Sequence, residues 1–159
     1  PEVIAATEKG KAVRIDIEDF REPSTVRGRM FMRLADGDHT VNVELFTGDQ
    51  LMVIATRDSR GLIFDAREVN FYKGRAKGVK AIDLQEDDDV LDFTLVPADR
   101  KRAGLEVETN NGAKKWIRQT KSKFEPSSRG NKGYLILKRG HLIRSHRPPV
   151  EIPKDDDEE

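Results

Sequence analysis

Ile54-Ala-Thr-Arg57, then Gly61-Leu-Ile-Phe64, then Gly74-Arg-Ala-Lys-Gly-Val79 lay out one unit: strand, turn, strand, basic glycine loop, strand. Short β-rich runs punctuated by Gly, Asp and Asn turns are the mark of strands, not helices. The same order occurs upstream. There it runs Ile4-Ala-Ala-Thr7, Lys9-Gly10-Lys11, Ala12-Val-Arg-Ile15, Thr25-Val-Arg-Gly28 and Met30-Phe-Met-Arg-Leu34. Downstream it runs Leu105-Glu-Val-Glu-Thr109, Asn110-Asn-Gly112, Lys114-Lys-Trp-Ile117, Arg129-Gly-Asn-Lys-Gly133 and Tyr134-Leu-Ile-Leu137. Gly28 and Gly78 are 50 residues apart and Gly78 and Gly130 are 52, which predicts three equivalent glycine loops. A period of about 50 residues signals a propeller-type or solenoid array, in which each unit buries its apolar face against a neighbour.

The expected fold is therefore all-β, in repeats of about 1–50, 51–100 and 101–153. Only the stretches 16–20 and 65–69 could hold a helical turn. Asp36-Gly37-Asp38 and Asn110-Asn111-Gly112 are hairpin signals, because these residues tolerate positive φ. Pro148, Pro149 and Pro153 cannot pair inside a sheet. The run 154–159 is predicted to be a disordered acidic tail.

The 159 residues are 36% apolar and 36% charged, wetter than an average globular domain. There is no cysteine, so disulfides and thiolate metal sites are excluded, and the compartment is reducing or indifferent. No apolar run approaches the roughly 18 residues of a membrane span, and no membrane partner is expected. Nothing at the start resembles a signal peptide. Pro1 opens the chain in place of methionine, which suggests a piece of something longer.

The formal net charge of zero hides a segregation. Residues 1–50 carry 7 basic and 10 acidic groups, and 51–100 carry 8 and 10. Residues 101–153 carry 13 and 4, and 154–159 carry 1 and 5. A basic block beside an acidic tail suits a polyanion site with an attached competitor. The plainer alternative is a solvated basic face.

The glycine loops are the candidate site. Glycine lets the backbone approach a phosphate, exposed amides can donate to it, and Arg or Lys neutralises its charge. An array of such loops on one rim would form a curved basic track, suited to bent duplex with little base readout. The candidate phosphate contacts are Arg27, Arg29, Arg75, Lys77, Lys114, Lys115, Arg118, Arg129 and Lys132, with Gly28, Gly78, Gly130 and Gly133 shaping the loops. The alternative is that the glycines only shape crossings between strands. On a strand, Trp116 shares a face with Lys114 and Arg118. It could stack on a base, but a packing role is the expectation. Asp87-Asp88-Asp89 stands where Asp36-Gly37-Asp38 stands one repeat earlier, and a solvated turn is expected there. His39, His141 and His146 lack metal-ligand spacing, and Ser127 and Ser128 lack a histidine partner. No catalytic centre, metal site or cofactor is expected.

These residues resemble the C-terminal domain of the A subunit of bacterial type IIA topoisomerases, DNA gyrase and topoisomerase IV. The resemblance spans all three repeats. It is carried by Ile54–Arg57 with Gly61–Phe64 and 74–79, and by Thr109-Asn-Asn-Gly112 with Lys114 and Arg129-Gly-Asn-Lys-Gly133. The last loop is similar to the family's basic glycine box. Arg129, Gly130, Lys132 and Gly133 match it, whereas Ser127, Ser128 and Asn131 depart from it. The family usually has five or six blades, and its box lies in the first blade, not the last.

The resemblance implies a β-pinwheel of four-stranded blades that exchange strands with their neighbours, here about three, open or partial. It implies double-stranded DNA wrapped on the perimeter. Its partners would be an ATPase B subunit, with the rest of the A subunit, in the cytoplasm. Cleavage chemistry, Mg²⁺ and ATP hydrolysis would lie outside these residues, in an ATP-dependent type II topoisomerase. The tail at 155–159 resembles the family's acidic terminus. Two other classes compete: a propeller-like module docking an acidic protein, and a small RNA-binding β-barrel. The latter needs exposed aromatics, which are scarce near the basic loops.

Overall fold

The computed structural model describes residues 1–20 and 32–147. Arg27, Gly28, Arg29 and the acidic run 154–159 lie outside the described residues. Twelve strands are described: β1 (Glu2–Thr7), β2 (Lys11–Asp16), β3 (Thr40–Phe46), β4 (Gln50–Thr56), β5 (Arg60–Asp65), β6 (Phe71–Tyr72), β7 (Val79–Lys80), β8 (Val90–Pro97), β9 (Gly104–Thr109), β10 (Lys114–Arg118), β11 (Tyr134–Leu135) and β12 (Leu142–His146). The two anticipated helical turns are present as 3-10 turns, Ile17–Phe20 and Ala66–Glu68.

The strands form three blades. Blade 1 is β3-β1-β2 with β6 and β7 on the outer side of β2, blade 2 is β8-β4-β5-β11, and blade 3 is β12-β9-β10. At the opposite edge from β6, β7 and β11, β3 packs on β8 and β8 on β12. Each blade that has an outermost strand thus takes it from the next repeat, and a sequence repeat is not a spatial blade. Among the described residues the expected four strands per blade become five, four and three. The third strands anticipated over 79–84 and 134–137 shrink to two-residue ladders, because the chain turns away after each short pairing.

The alternation of side chains explains why the blades stack. The register aligns Ala6 opposite Ala12, Ala55 opposite Gly61, and Glu108 opposite Lys114. Each blade therefore has a forward face, toward the next blade, and a rear face. Ile4, Ala6 and Ala12 on the forward face of blade 1 meet Met52, Ile54, Leu62 and Phe64 on the rear face of blade 2. Val53, Ala55 and Ile63 on the forward face of blade 2 meet Leu105, Val107 and Ile117 of blade 3. Strands buried on both faces lose the hydrophobic–polar alternation, which is why β4 and β5 are almost uniformly apolar.

Blade 3 breaks this pattern. Its forward face carries Glu106, Glu108, Lys114 and Trp116 where blade 2 has Val53, Ala55, Gly61 and Ile63. Glu108 pairs there with Arg144 at 3.7 Å and with His146 at 3.0 Å. At the other end, Val43 and Leu45 on the rear face of blade 1 are exposed, at 45% and 54%.

One turn recurs in all three blades. Thr7, Thr56 and Thr109 accept with Oγ1 from the amides of Lys11, Arg60 and Ala113. The fourth turn residue takes positive φ, at Gly10 (85°), Ser59 (64°) and Gly112 (88°). A buried carboxylate from the neighbouring hairpin holds two of these turns. Asp38 Oδ1 accepts from the amides of Lys9 and His39, and Asp88 Oδ1 from those of Asp58 and Asp89. The equivalence of the two acidic turns holds, but Asp88 is buried and hydrogen-bonded, so the expected solvated turn is corrected. In blade 3 the acid is replaced by Gly140, and Asn110 Oδ1 accepts from the His141 amide instead. Asn110→Ala should therefore cost about 1 kcal/mol, read by urea unfolding.

Candidate nucleic-acid interface

The basic loops sit on arms that leave one blade to pair with the blade before it. The first arm runs parallel along Arg14 and Ile15 at Phe71–Tyr72, then antiparallel to Ala12 and Lys11 at Val79–Lys80. Between these contacts Ala76 is buried against Val13, Ile15 and Met32. That anchor pins the middle of the loop, so that Lys73, Arg75 and Lys77 are exposed on either side of it. The second arm repeats the path. Ser127 bridges to Phe64, and Tyr134–Leu135 pairs with Gly61 and Arg60. Lys132 is exposed there, and Arg129 is half-buried.

Geometry corrects the expected equivalence of the glycines. Gly78 (φ +84°) lies against the Ala12 carbonyl and Gly133 (φ +77°) against the Gly61 carbonyl, where an added Cβ would stand 2.6 and 2.5 Å from the oxygen. Since Ala12 and Gly61 are equivalent, Gly133 and not Gly130 is the counterpart of Gly78. Gly130 donates its amide to Ala81 O at 2.8 Å and so ties the second arm to the first.

Two further bonds make the same join. Asp83 N donates to Asn131 O at 2.9 Å, and the Arg129 guanidinium donates to Lys80 O at 2.8 Å. One repeat earlier Arg33 N donates to Ala76 O at 2.8 Å, the same contact between the preceding arm and this one. The arms are therefore stitched edge to edge into a continuous outer surface, displaying Lys73, Arg75, Lys77, Lys80 and Lys132. The acids on it are partly engaged: Asp83 pairs with Lys80 at 3.5 Å, and Glu68 accepts from the Arg129 amide at 3.4 Å. Lys73 and Lys80 were missed from sequence, although Lys73 stands directly before Gly74 and Lys80 two residues after Gly78, at the two ends of the same basic glycine loop.

Lys114, Lys115 and Arg118 are not on an arm. They lie on β10, whose outer edge has no donated strand among the described residues. Trp116 stands beside them, 49% exposed, which corrects the expected packing role. Tyr134 is exposed as well and meets Phe124 edge-to-face with ring centroids 6.3 Å apart. Aromatics are thus present beside the basic residues, contrary to the expected scarcity. Among the described residues no group of three or more His, Asp and Glu is placed to hold a metal, and no helix is long and apolar enough to cross a membrane.

Residues 1–47 and 50–97 match the family model described as DNA gyrase C-terminal domain, beta-propeller. The A subunit of DNA topoisomerase 4 from Bacillus subtilis (strain 168) is 28% identical over 132 residues, covering 83% of this chain and 16% of that protein. The A subunit of DNA gyrase from Kosmotoga olearia is 30% identical over 149 residues, covering 90% of this chain and 18% of that protein. The chain thus spans less than a fifth of the length of these relatives. The crystal structure of the C-terminal domain of DNA topoisomerase IV superposes with a TM-score of 0.77 at 26% identity, covering 89% of this chain and 44% of that one.

Proposed function

The chain belongs to the DNA gyrase C-terminal domain family, beta-propeller, and from that premise we propose that it binds and bends duplex DNA for the A subunit of a type IIA topoisomerase. The observation that supports this most is the stitching of the arms. It joins separate basic loops into one surface that displays the cations of both described arms. Lysines and arginines on such loops contact phosphates and position the duplex without reading bases. The domain has no part in cleavage, which falls to the remainder of the A subunit, and ATP hydrolysis falls to a B subunit. Its own work needs no cofactor and is done in the cytoplasm.

Arg75, Lys77 and Lys132 are the rim contacts in this reading, with Lys73 and Lys80 added; Arg27 and Arg29, proposed as contacts from the sequence repeat alone, lie outside the described residues. Arg129 contributes by bracing one arm on the next. Lys114, Lys115 and Arg118 extend the basic surface at blade 3.

The test is a titration of labelled duplexes of increasing length at several salt concentrations. Affinity is expected to rise with length and to fall steeply with salt. Arg75→Ala with Lys77→Ala should weaken binding to all sequences alike and reduce the log–log salt slope by about 2. Binding indifferent to both length and salt would sink the reading, and a protein-docking module would give no gain with length.

A further inference from the structure

The single tryptophan of the chain stands at the one blade whose outer strand receives no arm among the described residues. At that position the residues change character. Ala12 and Gly61 become Lys114, Val13 and Leu62 become Lys115, Arg14 and Ile63 become Trp116, and Asp16 and Asp65 become Arg118. The acid that ends β2 and β5 is thus reversed in sign at the end of β10. Between β10 and Leu135 runs a groove of about 460 Å³, lined by Lys114, Lys115, Trp116, Arg118 and Lys123 and by no carboxylate.

We propose that this groove holds a single-stranded nucleic-acid segment, with its phosphates on Lys114, Lys115, Arg118 and Lys123 and one unstacked base on Trp116. A cationic groove with an exposed aromatic is the arrangement that grips single strands without sequence preference. In an intact duplex the base faces are covered by one another, and the face of Trp116 would find no partner. An acidic peptide would satisfy the cations yet leave the indole uncovered. One acid opposes the ligand: Glu106 lies directly across the ladder from Trp116. Glu108 is already engaged by Arg144 and His146. The site adjoins the surface that Lys114, Lys115 and Arg118 add to the rim, and its hold on a base rests on Trp116 and not on the duplex-binding reading.

Because Trp116 is the sole tryptophan, its fluorescence reports occupancy. Oligo-dT is expected to quench it to saturation, and a blunt duplex of equal length is not. With labelled oligo-dT followed by anisotropy, Trp116→Leu should weaken binding about tenfold or more. Lys115→Ala with Arg118→Ala should weaken it too, and Glu106→Gln should tighten it. The melting temperature of Trp116→Leu is the control for folding, since the side chain is half exposed. Three results would overturn the proposal: oligo-dT that leaves Trp116 unquenched, undiminished binding of oligo-dT by Trp116→Leu, or quenching by a polyglutamate peptide equal to that by oligo-dT. Duplex titrated against Trp116→Leu tells loss of this site from loss of the rim, since that variant should bind duplex as before.

Discussion

Alanine at Gly133 or at Gly78 is expected to cost the fold about 3 kcal/mol each, the largest effect foreseen for any single methyl group on the arms. Two penalties add. Both glycines hold positive φ, which costs an L-residue about 1–2 kcal/mol. Both also press on a carbonyl of the acceptor strand, with an added Cβ 2.5 Å from Gly61 O and 2.6 Å from Ala12 O. Those oxygens belong to the blade's own strand and cannot retreat without disturbing it, so the overlap adds about 1–3 kcal/mol. Gly74 is the control: its φ is +80°, but nothing lies within 4 Å of its added Cβ. Gly74→Ala should cost only the φ penalty. Thermal unfolding separates them, since about 1 kcal/mol moves the midpoint by about 2–4 °C in a chain of this size. If Gly133→Ala melted with Gly74→Ala, the close approach of arm to blade would be wrong.

Arg147→Ala is the second large loss, about 2–3 kcal/mol. The guanidinium of Arg147 ties all three blades. It donates to Asp92 Oδ1 at 2.6 Å and Oδ2 at 2.9 Å in blade 2, to Glu44 Oε2 at 2.8 Å in blade 1, and to the Phe93 carbonyl. Ser145 Oγ donates to Asp92 at 2.6 Å beside it. Burial disfavours the charge of Arg147, but its bonds to Asp92 and Glu44 outweigh that and hold its pKa above the ordinary arginine value. A raised folded pKa means that this contribution is complete at neutral pH and is lost only in strong alkali. Truncating Arg147 strands the Asp92 carboxylate, which is only 9% exposed. Removing one partner of a buried pair costs about 3–5 kcal/mol, and the partial exposure of Arg147 reduces this. Adding Asp92→Asn to Arg147→Ala should recover part of the loss in a double-mutant cycle, because no buried charge then stands alone. Strictly additive losses would show that the pair is not coupled.

The repeat, the all-β class, the recurring turns and the helical turn after β5 were legible because each is written in local chemistry: β-branched runs, Gly or Asn where φ is positive, Asp65 ahead of Arg67. The exchange of strands was not legible from spacing, because β6, β7 and β11 are two-residue pairings that leave no periodicity. Only the resemblance implied it. The offset of Gly130 against Gly133 was hidden for a related reason. Both loops contain two glycines and two cations, and only the close approach to the Gly61 carbonyl shows which glycine lies against the acceptor strand. Trp116 was misassigned because a tryptophan on a strand ordinarily packs, and the polarity of its neighbours Glu106 and Glu108 becomes visible only once β9 is paired with β10. Asp88 was misassigned in the opposite sense. An acidic run suggests solvent, but its backbone geometry turns the middle carboxylate inward onto two amides.

The unlike end faces of the stack bear on how copies of the chain behave together. Identical molecules joined head to tail make a heterologous contact that does not close on itself, and such contacts propagate into filaments. Val43 and Leu45, exposed on the rear face of blade 1, are the apolar half of such a contact. The other half would have to bury Glu106 and Glu108, and desolvating ions against an apolar surface costs several kcal/mol per charge. The charged ladder of blade 3 therefore opposes the stacking of a further apolar blade face upon it, whichever chain that face belongs to.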